Sequence, residues 1–110
     1  MKEYSDLHDQ QINILVCKAI GLEMSSYARI MTLDDATVLL SDNKTLFDCC
    51  NNPADAWPII TANKISIYAM SENDRRGRWG AEAFYPNESY HFNENPLRAA
   101  MIVFLMMQDR

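Results

Sequence analysis

The stretch Asn95-Pro96-Leu97-Arg98-Ala99-Ala100-Met101-Ile102-Val103-Phe104-Leu105-Met106-Met107-Gln108 reads as a capped helix that is apolar nearly all the way round. Asn95 can accept hydrogen bonds from the free amides of the first turn, and Pro96 suits the next position, where an amide would have no partner. From Ala99 to Met107 no side chain is polar. A helix without a hydrophilic face has to be surrounded, so this element is expected to be the one against which the others pack. A membrane span needs about 17–25 apolar residues. This run is shorter and is closed by Gln108, Asp109 and Arg110, so no membrane role is expected. Its methionines would also suit a face shared with a second copy of the chain, which keeps a homodimer open, although core filling is the commoner use of Met.

The first helix is marked by Ile12, Leu15, Val16, Ala19 and Ile20, spaced at i, i+3, i+4, i+7 and i+8 on one stripe. Leu7 can staple its start around a cap at His8 with Gln11 three positions on, and Gly21 supplies a left-handed stop, giving a helix over about 9–20. Two strands, 27–32 and 36–41, are expected to form a hairpin through Leu33-Asp34-Asp35. The chain then turns at Ser41-Asp42-Asn43-Lys44, and Leu46-Phe47 returns to the core. A short second helix is expected over about 56–62, capped by Asp55 and stopped by a left-handed Asn63. An Asn52 cap would set Pro58 beyond the first turn, where its ring and missing amide disturb internal bonds.

Ile65 to Met70 and Arg78 to Tyr85 alternate as strands around the hydrophilic loop 71–77. Trp79, Ala81, Ala83 and Tyr85 are expected on one face, the small members leaving space for the last helix. Tyr90-His91-Phe92 can add a short edge piece. The order α-β-β-α-β-β-α with short connections implies an α+β fold, an antiparallel sheet packed against helices with the C-terminal helix buried, in a single domain over residues 1–110.

The totals narrow the function classes. Fifteen acidic against ten basic residues give a net charge of −5, which opposes nonspecific binding to nucleic acid or anionic membrane. The polar start Met1-Lys2-Glu3-Tyr4-Ser5-Asp6 has no apolar run behind it, so a cytoplasmic protein is expected. Cys17, Cys49 and Cys50 are an odd number, and free thiols are the expectation. Adjacent cysteines with His8 and His91 lack the spacing of a zinc site, so neither a metal nor another cofactor is expected.

Two places carry candidate chemistry. Asp55 beside Trp57 reads either as a carboxylate next to a stacking platform for a base or sugar, or as a helix cap beside a buried ring. The capping reading accounts for the spacing to Pro58 without a ligand. Arg75, Arg76, Arg78 and Trp79 form a basic and aromatic cluster able to hold phosphates or single-stranded nucleic acid, against which stand its solvated position and the adjacent Glu72 and Asp74. His91 has no evident carboxylate or cysteine partner and reads as a surface residue. Gly-rich phosphate loops, G-x-S-x-G and H-E-x-x-H are all missing, which leaves catalysis without local support.

The segments 47–60 and 95–107, together with Leu7 to Leu22, resemble the small NinX-type proteins of lambdoid phages and enterobacterial prophages, a family classed as a domain of unknown function. In that family proline is usual before the second cysteine, so Cys49 is a departure, and His8 stands where a serine-like cap is usual. The resemblance implies a phage or prophage accessory protein in the bacterial cytoplasm and brings no catalytic residues with it. The expectation is a non-enzymatic module that binds a bacterial or phage macromolecule, with a protein as partner. The alternatives are a nucleotide-like ligand or minor enzyme activity at Trp57 or the Arg75 to Trp79 segment, and single-stranded nucleic acid.

Overall fold

In the computed structural model, residues 3–26 and 36–109 are described. They form helices α1 (Asp9–Ile20), α2 (Pro53–Ala62) and α3 (Pro96–Gln108). The strands are β1 (Val38–Leu39), β2 (Leu46–Phe47), β3 (Ser66–Ala69), β4 (Trp79–Ala83) and β5 (Ser89–Asn93). The fold is α+β, with β1 and β2 in one antiparallel pair and β3-β4-β5 in an antiparallel three-stranded sheet.

The last helix holds the position its sequence requires. Asn95 Oδ1 accepts from the amides of Leu97 and Arg98 at 2.9 and 3.3 Å, and Pro96 occupies the first turn. All seven side chains from Ala99 to Leu105 are buried. They are enclosed by the three-stranded sheet on one side and by α1 and α2 on the others. Each large side chain so buried contributes about 1.5–3 kcal/mol against exposure. Ala81 and Ala83 of β4 are fully buried, and these short side chains let α3 lie close against the sheet.

Helix α1 also follows its pattern, with Ile12 and Val16 fully buried. Gln11 Oε1 accepts from the His8 amide at 2.8 Å. Gly21 at φ +80° ends the helix, and the Leu22 amide reaches back to the Cys17 carbonyl at 2.9 Å.

Three local expectations are corrected. Helix α2 starts at Pro53, not at 56, because Asn52 Oδ1 caps the Ala54 amide at 3.0 Å. Pro58 is accommodated inside that helix. Asn63 is not left-handed (φ −103°); Lys64 takes the left-handed conformation at φ +54°. Strand β4 ends at Ala83, so Tyr85 does not join the face of Ala81 and Ala83 but stands 79% exposed. The expected hairpin turn and its first strand, 27–35, lie outside the described residues. Of the second strand, Val38 and Leu39 pair with Phe47 and Leu46 across the 41–44 turn, and Leu40 bridges Met24. Tyr90-His91-Phe92 forms the middle of a full strand at the edge of the sheet, in register with Glu82, Ala81 and Gly80.

Candidate functional site

The starts of the three helices meet at the turn Asp48-Cys49-Cys50-Asn51-Asn52, in the middle segment that carried the family resemblance. Asn13 of α1 is its hub and is fully buried. Its Nδ2 donates to the Asp48 carboxylate at 2.8 Å and to the Ala36 carbonyl at 2.9 Å. Its Oδ1 accepts from the Cys50 amide and the Cys49 thiol, both at 3.1 Å. Asn51 Nδ2 donates to Asp9 and Asp48, while Asn95 Nδ2 donates to the Cys50 carbonyl at 2.8 Å and to Asn51 Oδ1 at 3.1 Å. Arg98 completes the knot through Asp9 and the Ser5 and Leu7 carbonyls. Asp55 accepts from the Asp48 amide at 2.9 Å and from the Asn52 side chain, so it braces the turn and does not cap α2.

Two thiols, Cys17 and Cys49, are held in their neutral form. Cys17, Cys49 and Cys50 are free and buried. The Cys50 thiol beside it and burial drive Cys49 far above the usual thiol range, and burial pushes Cys17 up to about 11. A neutral buried thiol is a weak nucleophile and a poor metal ligand. Among the described residues no group of three or more His, Cys, Asp or Glu is arranged to hold a metal ion.

A second arrangement occupies the sheet. Strand alternation turns Ala81, Ala83 and Ser89 toward α3, and all three are buried. The opposite face carries Tyr68, Gly80, Glu82, Tyr90 and Phe92. Gly80 pairs with both Tyr68 and Phe92, and Glu82 pairs with Tyr90. The Tyr68 ring lies across Gly80, its Cε1 at 2.3 Å from where a Cβ would stand. The Tyr68 hydroxyl donates to Glu82 at 3.3 Å, and the Tyr90 and Phe92 ring centres are 5.9 Å apart at 56°. Gly77, at φ +140°, brings the 71–77 loop onto the backbone of Asn93. Next to it, the Arg76 guanidinium sits 4.3 Å from the centre of the Phe92 ring.

The arginines chosen from sequence are therefore at this end of the sheet, but two of them are engaged by carboxylates. Arg76 is held in a fork by Asp74, at 3.0 and 2.9 Å. The same bonds hold the Asp74 carboxyl down at about 2. Arg78 pairs with Glu94 at 2.8 Å and Glu72 at 3.3 Å. Arg75 is exposed, and Trp79 is half-buried at the start of β4. Trp57 lies apart on α2, which packs on α3 through Ala56, Ile59 and Ile60. Trp57 points away from them and is 61% exposed, not buried as the capping reading held. The i, i+3, i+4 spacing of Ala56, Ile59 and Ile60 carries that information. Sequence reasoning missed the rings of Tyr68 on β3 and of Tyr90 and Phe92, the last two of which show a period of two once β5 is read as a full strand. It also missed Asn13, for which no local signal exists.

His91, on the α3 side of β5, is half-buried, and its Nε2 has no hydrogen-bond partner among the described residues. Burial and the nearby Arg98 lower its pKa.

Among the described residues no helix is long and apolar enough to cross a membrane. These features define a small α+β domain wrapped around its last helix, an architecture shared with a phage protein of known structure. The crystal structure of a phage protein from Bacillus cereus ATCC 14579 superposes with a TM-score of 0.64, covering 100% of this chain and 95% of that one at 15% identity. The model of the family described as Bacteriophage P22, NinX matches residues 3–108, and the chain belongs to that family. No curated protein matches it.

Proposed function

We propose that the protein is a non-enzymatic accessory module that binds a bacterial or phage macromolecule, with a protein as partner, in the host cytoplasm. The observation that supports this most is the face of the three-stranded sheet turned away from α3. Tyr90 is 54% exposed there, beside Phe92 and Tyr68, and Phe84 follows at 65% at the end of β4. Aromatic side chains with a polar tip or rim are what protein interfaces favour. The polar groups of the helix-start knot, by contrast, are spent on one another. Affinity co-purification of the tagged chain from infected cells tests the reading. A macromolecule retained by the wild type and lost with Tyr90→Ser is expected; repeated recovery of none overturns it.

The exposure of Trp57 favours one other reading, a nucleotide-like ligand stacked on that ring. A thermal-shift screen of nucleotides tests it, since a ligand at about 100 times its dissociation constant adds about 2.7 kcal/mol. Single-stranded nucleic acid on Arg75, Arg76, Arg78 and Trp79 has less support, because Arg76 and Arg78 are ion-paired and the chain is acidic.

A further inference from the structure

We infer that a second copy of this chain adds at the outer edge of β3, the two β3 strands lying antiparallel about a two-fold axis at Tyr68 and joining the two three-stranded sheets into one. The inference goes beyond the binding reading above, because it uses a strand edge and leaves the aromatic face of each sheet available.

The edge follows from the register. β3 is an outer strand in the order β3-β4-β5, and the Met70 amide donates to the Arg78 carbonyl at 2.7 Å. Hydrogen-bonded positions alternate along an antiparallel pair, so Ser66 and Tyr68 also turn their backbone groups toward β4, while Ile65, Ile67 and Ala69 turn theirs away. The Ile65 amide is taken by the Ile60 carbonyl at 3.0 Å. The amides and carbonyls of Ile67 and Ala69 have no hydrogen-bond partner among the described residues. Strand edges are ordinarily guarded by a charge, a proline or a bulge. The run Ile65-Ser66-Ile67-Tyr68-Ala69-Met70 holds neither charge nor proline, and its pairing with β4 is regular from Ser66 to Ala69. Tyr68 does not obstruct the approach, because its ring lies inward across Gly80.

The strand is complementary to itself. Antiparallel pairing centred on Tyr68 sets Ile67 of each copy opposite Ala69 of the other, and each outward amide then meets an outward carbonyl. On the α3 side a large side chain stands beside a small one, twice over by symmetry, and on the other face Ser66 stands beside Met70. Lys64 and Glu72, the charged residues nearest the two ends of the strand, differ in sign, so the pairing brings no like charges together; Glu72 is itself bonded to Arg78.

The test is sedimentation equilibrium of the full chain over a concentration series, with amide hydrogen exchange followed by NMR on the same samples. A monomer–dimer equilibrium is expected, in which the Ile67 and Ala69 amides gain protection as concentration rises while the Met70 amide, bonded within the chain, is protected throughout. Ala69 is exposed, and Ala69→Pro removes its outward amide without touching the ladder to β4. Ala69→Lys places a guarding charge at the same position. Each is expected to raise the dissociation constant about tenfold. Circular dichroism separates lost pairing from lost fold, and if Ala69→Pro does not fold, Ala69→Lys and the exchange data decide. A monomer at every concentration, a dimer whose added protection falls at Tyr90 and Phe92 instead, or a dimer unmoved by Ala69→Lys would overturn the inference.

Discussion

Arg98 Nη1 lies 2.7 Å from Asp9 Oδ1, tying the first turn of α3 to the first turn of α1 across 89 positions of sequence. A cation at a helix start opposes the helix dipole, so Arg98 does not serve its own helix. Its donors instead satisfy Asp9 and the Ser5 and Leu7 carbonyls. The side chain is 13% exposed, and removing it strands those acceptors. Arg98→Leu is expected to cost about 2–4 kcal/mol in urea unfolding. A loss under about 0.5 kcal/mol would show the staple to be idle.

Asn13 uses its donor end and its acceptor end together, as few side chains can. Asn13→Leu keeps the volume but leaves the Cys50 amide and the Asp48 and Ala36 acceptors short of a partner. The expected cost is about 2–4 kcal/mol. Asn13→Asp should be worse, because it sets a carboxylate against Asp48, and its deficit should shrink as the pH falls through the carboxylate range. Parallel urea titrations at neutral and acidic pH check both points.

The two sheet-side glycines should differ in how they tolerate alanine. A Cβ on Gly80 meets the Tyr68 ring, a side chain that can swing away, while one on Gly77 meets Asn93 backbone at 2.6 Å from a positive φ. Gly80→Ala is expected to lose about 1–2 kcal/mol, part of it recovered in combination with Tyr68→Ala. Gly77→Ala is expected to lose more, and Asn93 substitution will not restore it. Melting temperatures of the four variants settle the order.

His91 makes stability pH-dependent on the acid side. Its folded pKa is lowered by burial and Arg98, so between the usual 6.5 and that lowered value the unfolded chain takes up a proton that the folded chain refuses. Stability therefore falls as pH drops below 6.5, and His91→Leu should flatten that slope. On the alkaline side, burial and the Asp109 carboxylate raise Tyr4 from 10 to about 12. That contribution is present below pH 10 and is lost as pH climbs toward 12. Denaturant midpoints across pH read both limbs.

The last helix was legible because its evidence is local: a cap, a proline and a run of apolar residues. The start of α2 is not legible locally, because Pro58 reads as a helix breaker. In the fold its missing amide faces an exposed part of the helix, where Thr61 Oγ1 bonds the Trp57 and Pro58 carbonyls. Residue type alone leaves Trp57 open between core and surface, while its neighbours' spacing assigns it to solvent. The knot around Asn13 could not be read, since its partners lie 23 to 37 positions away and nothing in a lone asparagine announces them. The open aromatic face was hidden for a simpler reason: a three-residue edge piece gives no alternation to count.

Because α3 follows every other described element in the chain yet touches α1, α2 and all three strands of the larger sheet, synthesis on the ribosome imposes an order of events. Until the thirteen residues of α3 emerge, Ile12, Val16, Ala81 and Ala83 lack the helix they close over, and the nascent chain must hold its greasy surfaces open. Truncation or stalling upstream of Asn95 thus leaves an aggregation-prone fragment and no smaller folded unit.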